Sequence, residues 1–378
     1  MNYVTKQPLR DPYYFAEATF GSYSFYRGEI DLSGPLDPEK KVLYRLNASY
    51  RSQGSFLEGN NLRNLVIAPV ITAALGENTN LSIESVYKNL SSDRVPLGLP
   101  LIGTVLPNPN GQIPRDRNVN EGVENITQFR ITTALDHRFS EDWSFNAKFR
   151  FDSYSSGGPF TFPGALAADN RTVPVTPGDS SDQFYEYRLA TNIIGEFSTG
   201  SIKHEVLLGL DLGRNTFQSR TEEGDAFQID IFNPIFGQPR ETFGSVFTEF
   251  IATNELGIVL QNRLTLADNL KLLLSGRFDT FTQTGAFGDP TPVQSGNAFS
   301  PRVGIVYQPI QPISLYANFA QSFEPTIGSS FDRTPFQPSR GTQYEIGVKA
   351  DINPRFCRQG FRHRRESQTA LEAILSAS

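Results

Sequence analysis

The sequence is poor in the residues that usually carry chemistry: of 378 residues, one is Cys, one Met, one Trp and three His. A single cysteine rules out an intramolecular disulfide and leaves the compartment open, because low cysteine use suits a bacterial envelope protein as well as a cytosolic one. The histidines, His137, His204 and His363, lie far apart without a metal-ligand spacing, so no metal site or resident cofactor is predicted. No CxxC pair or phosphate-cradling glycine loop occurs, and no serine is marked as an activated nucleophile, which argues against an enzyme. No run approaches the 18 or so apolar residues of a spanning helix, so any membrane role has to be that of a barrel. The mean hydropathy of -0.33 is compatible with one, because a barrel strand need be apolar only at every second position. A net charge of -6, with no basic stripe before the C-terminal tail, excludes a general nucleic-acid binder. Met1 is followed by Asn2, Tyr3, Val4 and Thr5, without the charged, apolar and small-residue regions of an export signal.

What is present is an inventory for strands and turns: 30 Phe, 14 Tyr, 31 Gly and 25 Pro. Between Trp143 and Tyr154 the chain alternates strictly. Trp143, Phe145, Ala147, Phe149 and Phe151 fall on one face, and Ser144, Asn146, Lys148, Arg150, Asp152 and Tyr154 on the other. One face suits lipid and the other water. The same split recurs at Tyr44 to Arg51, Tyr185 to Asn192 and Gln343 to Ala350. About fourteen strands are predicted, near 12-21, 24-34, 42-51, 63-75, 80-90, 125-138, 142-154, 183-197, 201-216, 250-266, 269-283, 299-308, 312-323 and 341-351. Every second connection is brief, around Asp37 to Lys40, Gly76 to Asn78, Ser140 to Glu141, Ser198 to Gly200, Ala267 to Asp268 and Pro309 to Gln311. Most of the others are long, above all about 91-124, 155-182 and 217-249. Short periplasmic turns and long extracellular loops are the pattern of an all-β, antiparallel transmembrane barrel. A soluble β-sandwich or solenoid also alternates, but its strands are shorter and neither fold demands the asymmetry of loops.

Particular segments resemble a known family. Asn2-Tyr3-Val4-Thr5-Lys6-Gln7-Pro8 is similar to the exit from the plug domain of TonB-dependent receptors. Glu17-Ala18-Thr19-Phe20-Gly21-Ser22-Tyr23, Arg27-Gly28-Glu29-Ile30-Asp31-Leu32 and Tyr44-Arg45-Leu46-Asn47-Ala48 resemble their first barrel strands, particularly in the ferrichrome-type siderophore receptors. Ile113-Pro114-Arg115-Asp116-Arg117 and Asp230-Ile231-Phe232-Asn233-Pro234-Ile235-Phe236-Gly237 are similar to family loops. Leu256-Gly257-Ile258-Val259-Leu260, Ser300-Pro301-Arg302-Val303-Gly304, Ser314-Leu315-Tyr316-Ala317-Asn318 and Gly341-Thr342-Gln343-Tyr344-Glu345 resemble later strands. Each is weak alone; their order from about residue 2 to 353 carries the resemblance. It implies a partial barrel, about fourteen of the 22 strands such transporters have. Residues 1-10 would be the end of the plug and its link, 11-353 the partial barrel, and 354-378 an aberrant basic tail. That tail holds Arg355, Cys357, Arg358, Arg362, Arg364 and Arg365 and reads either as a frameshifted end or as a genuine basic amphipathic segment.

The function implied by the resemblance is uptake of a ferric siderophore across the outer membrane, with iron arriving as part of the cargo. The implied partners are the siderophore, the TonB inner-membrane complex acting through a segment ahead of the barrel, and outer-membrane lipid; a monomer is expected. A passive channel is the competing reading, and an inactive fragment a third, since a partial sheet exposes edges that are costly in lipid. The inward-facing charges Arg45, Arg51, Lys148, Arg150, Asp152, Glu186, Arg188, Arg277 and Asp279 are expected to form cross-strand networks. Tyr154, Arg150 and Arg188 are the candidate ligand contacts, through cation-π and hydrogen-bonding interactions with an oxygen-rich chelate. His137 and His204 share faces with Phe129, Ile131 and Leu135 and with Val206, Leu208 and Leu210, each near a short turn, and are expected in an interfacial girdle.

Overall fold

The computed structural model describes residues 5-93, 98-235, 244-286, 289-326, 330-332, 334 and 336-350. Asn2 to Val4, Phe236 and Gly237, and the basic tail with Cys357 and His363 therefore lie outside the described residues. Among the described residues every regular element is a strand: β1 (Tyr13–Gly21), β2 (Phe25–Pro35), β3 (Val42–Gly54), β4 (Asn61–Ala74), β5 (Thr79–Asp93), β6 (Val123–Arg138), β7 (Trp143–Pro163), β8 (Thr172–Thr199), β9 (Ile202–Glu223), β10 (Phe227–Asp230), β11 (Ser245–Ala267), β12 (Leu270–Ala286), β13 (Asp289–Ile310), β14 (Ile313–Glu324) and β15 (Ser339–Ala350). Fourteen of them form one antiparallel meander in chain order, with β1 and β15 at its two ends; the short β10 sits off this path and pairs with β8.

The fourteen predicted wall strands are all present, but seven outer segments read as loop are strand. β7 continues to Pro163 and β8 begins at Thr172, so the long connection expected at 155-182 shrinks to 164-171. The expected loop at 217-249 contains the end of β9, all of β10 and the start of β11, while β12 and β13 continue to Ala286 and from Asp289. The reason is physical. A tilted strand needs about 9–11 residues to cross the bilayer, and β8 has 28. Above the bilayer nothing imposes an apolar-polar alternation, so the pattern that marks a strand in sequence fades while the ladder continues.

The short turns close tightly. Gly200, with φ 62°, occupies the first central position of the two-residue β8–β9 hairpin, where a primed turn demands a left-handed residue. At the β2–β3 turn, the Asp37 carboxylate accepts the Val42 N–H at 2.6 Å and the Lys41 N–H at 3.2 Å.

Register aligns the alternation of each strand with its neighbours. Phe145, Ile193, Leu208 and Leu260 stand side by side on one face, and Leu210, Ile258, Phe278 and Phe299 form another such row. Most of these side chains are exposed. Phe151 adds aromatic contacts to Tyr187 and Phe129 at centroid distances of 4.9 and 6.4 Å. A soluble protein does not present apolar surface on this scale; hydrocarbon is its natural solvent. Both described histidines lie on this outer face beside short turns. His137 Nδ1 is 2.8 Å from the Thr79 hydroxyl and its ring meets Phe139 edge-on. His204 Nδ1 is 3.1 Å from the Asn262 amide and its ring stacks on Phe197. Each imidazole thus has an apolar neighbour and a polar one, as an interfacial residue needs.

Candidate functional site on the inner face

The opposite face carries the charges. Arg150 and Arg188 are direct cross-strand partners, and so are Asp152 and Glu186, one step higher. Like charges directly opposite repel, so the ion pairs run along the strand and across the diagonal instead. Arg150 Nε lies 3.0 Å from Asp152 Oδ2, and its guanidinium also bonds Glu186. Arg130 reaches Asp152 at 2.6 Å from β6, while Arg188 contacts Glu186 at 3.2 Å and Glu255 at 3.1 Å. Farther round, Arg277 pairs with Asp211 at 2.5 Å and Asp279 at 2.8 Å. Asp152 is only 5% exposed, and its two arginine neighbours offset the cost of removing that carboxylate from water.

Two glycines make room for this ladder. A Cβ on Gly257 would stand 2.0 Å from Arg277 Nη2, and one on Gly213 would stand 3.1 Å from Glu255 Oε2. Between them opens a cavity of about 330 Å³ bordered by Arg188, Glu255, Arg277, Phe281 and Phe323. Phe281 and Phe323 approach to a centroid distance of 5.8 Å.

Tyr154 lies two steps above Arg150 on the same face, so the three candidate residues are brought to one wall but not into one cluster. Its cross-strand neighbour is Phe184, followed by Phe217 and Ile251. An aromatic and aliphatic shelf therefore runs above the ion-pair ladder. Phe184 and Phe217 were missed in sequence because the shelf exists only through register. Extending the parity of Glu186 and Arg188 backward to Phe184 would have found one of them.

Residues 5–9 also lie against the inner face. Lys6 Nζ is 2.9 Å from Asp31, whose carboxylate is held bidentately by Arg45 at 2.9 and 2.8 Å. Arg45 donates to the Gln7 carbonyl at 2.8 Å, Gln7 donates to Glu84 at 3.1 Å, and the Leu9 N–H donates to the Ser33 hydroxyl at 2.8 Å.

Outside the wall, the Asp169 carboxylate in the β7–β8 connection accepts the Thr172 hydroxyl and the Thr172 and Arg171 N–H groups. The hydroxyl bond is the largest of the effects that hold its pKa below the ordinary 3.8. Because these bonds favour the ionised form, their contribution is complete above pH 3.8 and is lost as pH falls below it toward the folded value. A carboxyl 13C titration should place the Asp169 midpoint below 3.8 and move it upward in Thr172→Val.

A meander of long antiparallel strands, apolar on one face, charged on the other and turned tightly at one end, defines an outer-membrane β-barrel wall. The chain matches the family described as TonB dependent receptor-like, beta-barrel, over residues 71–361, and it belongs to that family. It is 29% identical over 370 residues to the metal-pseudopaline receptor of Pseudomonas aeruginosa, across 93% of this chain and 51% of that protein. With the ferrichrome outer membrane transporter/phage receptor of Escherichia coli it shares 25% identity over 381 residues, or 92% of this chain and 51% of the relative. The crystal structure of the ferripyoverdine receptor of P. aeruginosa superimposes with a TM-score of 0.79 at 20% identity, covering 92% of this chain and 47% of that one. The chain spans about half the length of the curated relatives it matches. Its family is one of outer-membrane receptors and not of enzymes, and its place is the outer membrane.

Proposed function

We propose that this chain forms the wall of a receptor that takes up a metal–siderophore complex, with the ferric form as cargo and the TonB complex as its energy source. The observation that carries the reading is the inner-face shelf of Tyr154, Phe184 and Phe217 above the Arg150–Glu186–Arg188 ladder, in a chain of this family. A chelate presents flat organic arms and a shell of oxygen atoms. Aromatic faces suit the first, and guanidinium groups suit the second. In this reading Tyr154 and Arg188 touch cargo, while Arg150 holds Glu186 against Arg188. Residues 1–10 act as the link along which a lumen-filling domain is joined to the wall, consistent with the contacts of Lys6, Gln7 and Leu9.

Titration calorimetry of the purified receptor with ferric ferrichrome, ferripyoverdine and metal–pseudopaline tests the reading. One of these complexes should bind, and Tyr154→Ala or Phe217→Ala should weaken it about tenfold each, the loss expected for one aromatic contact of roughly 1.4 kcal/mol. Binding of none of the three, or unchanged affinity in both variants, would overturn it.

A further inference from the structure

The connection between β5 and β6 is long and rich in Pro, Gly and Asn, a composition that suggests a loop free to move. Its described part, residues 98–122, is instead built into its neighbours. Ile113 and Val119 pack with Val173 and Val175 of β8, Ile229 of β10 and Ile231 just beyond it. All six are 9% exposed or less, and Leu99, Leu166, Phe227 and Phe232 pack around them. This is a small apolar core made of three chain crossings far from one another in sequence.

Polar ties surround that core. The Asn108 and Asn110 side-chain amides donate to the Asn170 and Asp169 carbonyls, each at 2.8 Å. The Thr161 hydroxyl accepts the Glu121 N–H at 2.6 Å and donates to Asn120 Oδ1 at 3.1 Å. Arg171 binds Asp230 at 2.8 Å, and its carbonyl accepts the Ile231 N–H at 3.0 Å. One residue ties three connections together. Arg117, whose side chain is 13% exposed, donates from Nη1 to Glu58 Oε2 at 2.7 Å in the β3–β4 connection. It donates from Nη2 to the Phe232 carbonyl at 3.0 Å in the β9–β11 connection. Glu58 returns the tie through its N–H, which donates to the Asp116 carbonyl at 2.9 Å.

We infer that the described parts of the β3–β4, β5–β6, β7–β8 and β9–β11 connections, the last with β10, fold as one preorganised cap locked by Arg117, and not as separate lids that close over a ligand. A small apolar core bounded by hydrogen bonds on every side opens cooperatively, because losing one crossing exposes the buried faces of the others. A guanidinium with two acceptors on two different connections couples them in a way that a point charge does not. The inference stands on this geometry alone and is independent of the uptake reading.

Amide hydrogen exchange on the full chain in its membrane, without ligand, tests it. In the parent, the Ile113 and Ile231 amides should exchange slowly and at matching rates, although 118 residues separate them. Arg117→Ala should speed both at least tenfold and leave the β11–β12 amides unchanged, and Arg117→Lys should restore little of the loss. Ile231→Ala, which opens the core without touching the charge, should speed Ile113 in the same way and serves if the arginine variant does not accumulate. Independent rates at the two amides in the parent, or acceleration confined to residues near the substitution in both variants, would overturn the inference.

Discussion

Leu260→Arg should remove the chain from the outer membrane. Leu260 lies seven residues above the β11–β12 turn, on the lipid-facing row with Phe145, Ile193 and Leu208. At about 3.3 Å of rise per residue and a strand tilt near 40°, that places it close to the bilayer midplane. An arginine there costs about 2–4 kcal/mol, against roughly 0–1 near the interfaces. A difference of that size is a factor of about 30 or more in the inserted population. Gln261→Arg is the control, because the next residue points to the wet inner face, where its cross-strand neighbour on β12 is Ser275. Membrane fractions should retain the Gln261 variant and lose the Leu260 variant. Equal loss of both would mean that the two faces have been assigned without physical basis.

The second large effect is expected at Gly158. This residue adopts φ 134° in β7 where the strand leaves the bilayer, and a Cβ there would stand 2.2 Å from the Val123 carbonyl oxygen. The obstacle is backbone, so it cannot turn aside as a side chain can. Gly122, with φ 139°, meets the same limit against the Pro159 carbonyl at 2.1 Å, and it pairs with Phe160 across the same junction. Backbone strain of this kind is of order 1–3 kcal/mol, and each ladder bond lost with it adds about 1 kcal/mol. Gly158→Ala should therefore cost about 3 kcal/mol or more, concentrated in the upper β6–β7–β8 hairpins. Hydrogen exchange should rise at residues 118–123, 158–163 and 176–181 and stay unchanged along β11 and β12. Parent-like protection in the upper hairpins would contradict the role given to the glycine.

These effects also show where the fold was legible. Trp143 to Tyr154 could be read directly because lipid on one side and water on the other dictate every residue of that stretch. Val173 and Val175 could not, because Pro174 and Pro177 beside them signal a loop and their partners, Phe227 and Ile229, lie more than fifty residues away. Arg45, Arg150, Asp152, Glu186, Arg188, Arg277 and Asp279 were identified correctly as members of networks, since alternation alone sends them to one side, whereas Arg51 and Lys148, expected with them, join no ion pair among the described residues. Which acid meets which base depended on register. Tyr154 was visible as an inward-facing aromatic, but its companions Phe184 and Phe217 became a shelf only once β7, β8 and β9 were aligned.

The central claim, that the apolar face of this sheet lies in lipid, can be tested with the single tryptophan in the sequence. Trp143 begins β7 beside the short β6–β7 turn, shares the outer face with Phe145 and Phe149, and covers Gly195, where a Cβ would stand 2.5 Å from its ring. Its fluorescence should be quenched by lipids brominated near the headgroup, less by lipids brominated near the chain ends, and little by aqueous iodide. Strong quenching by iodide with none by either brominated lipid would contradict the account.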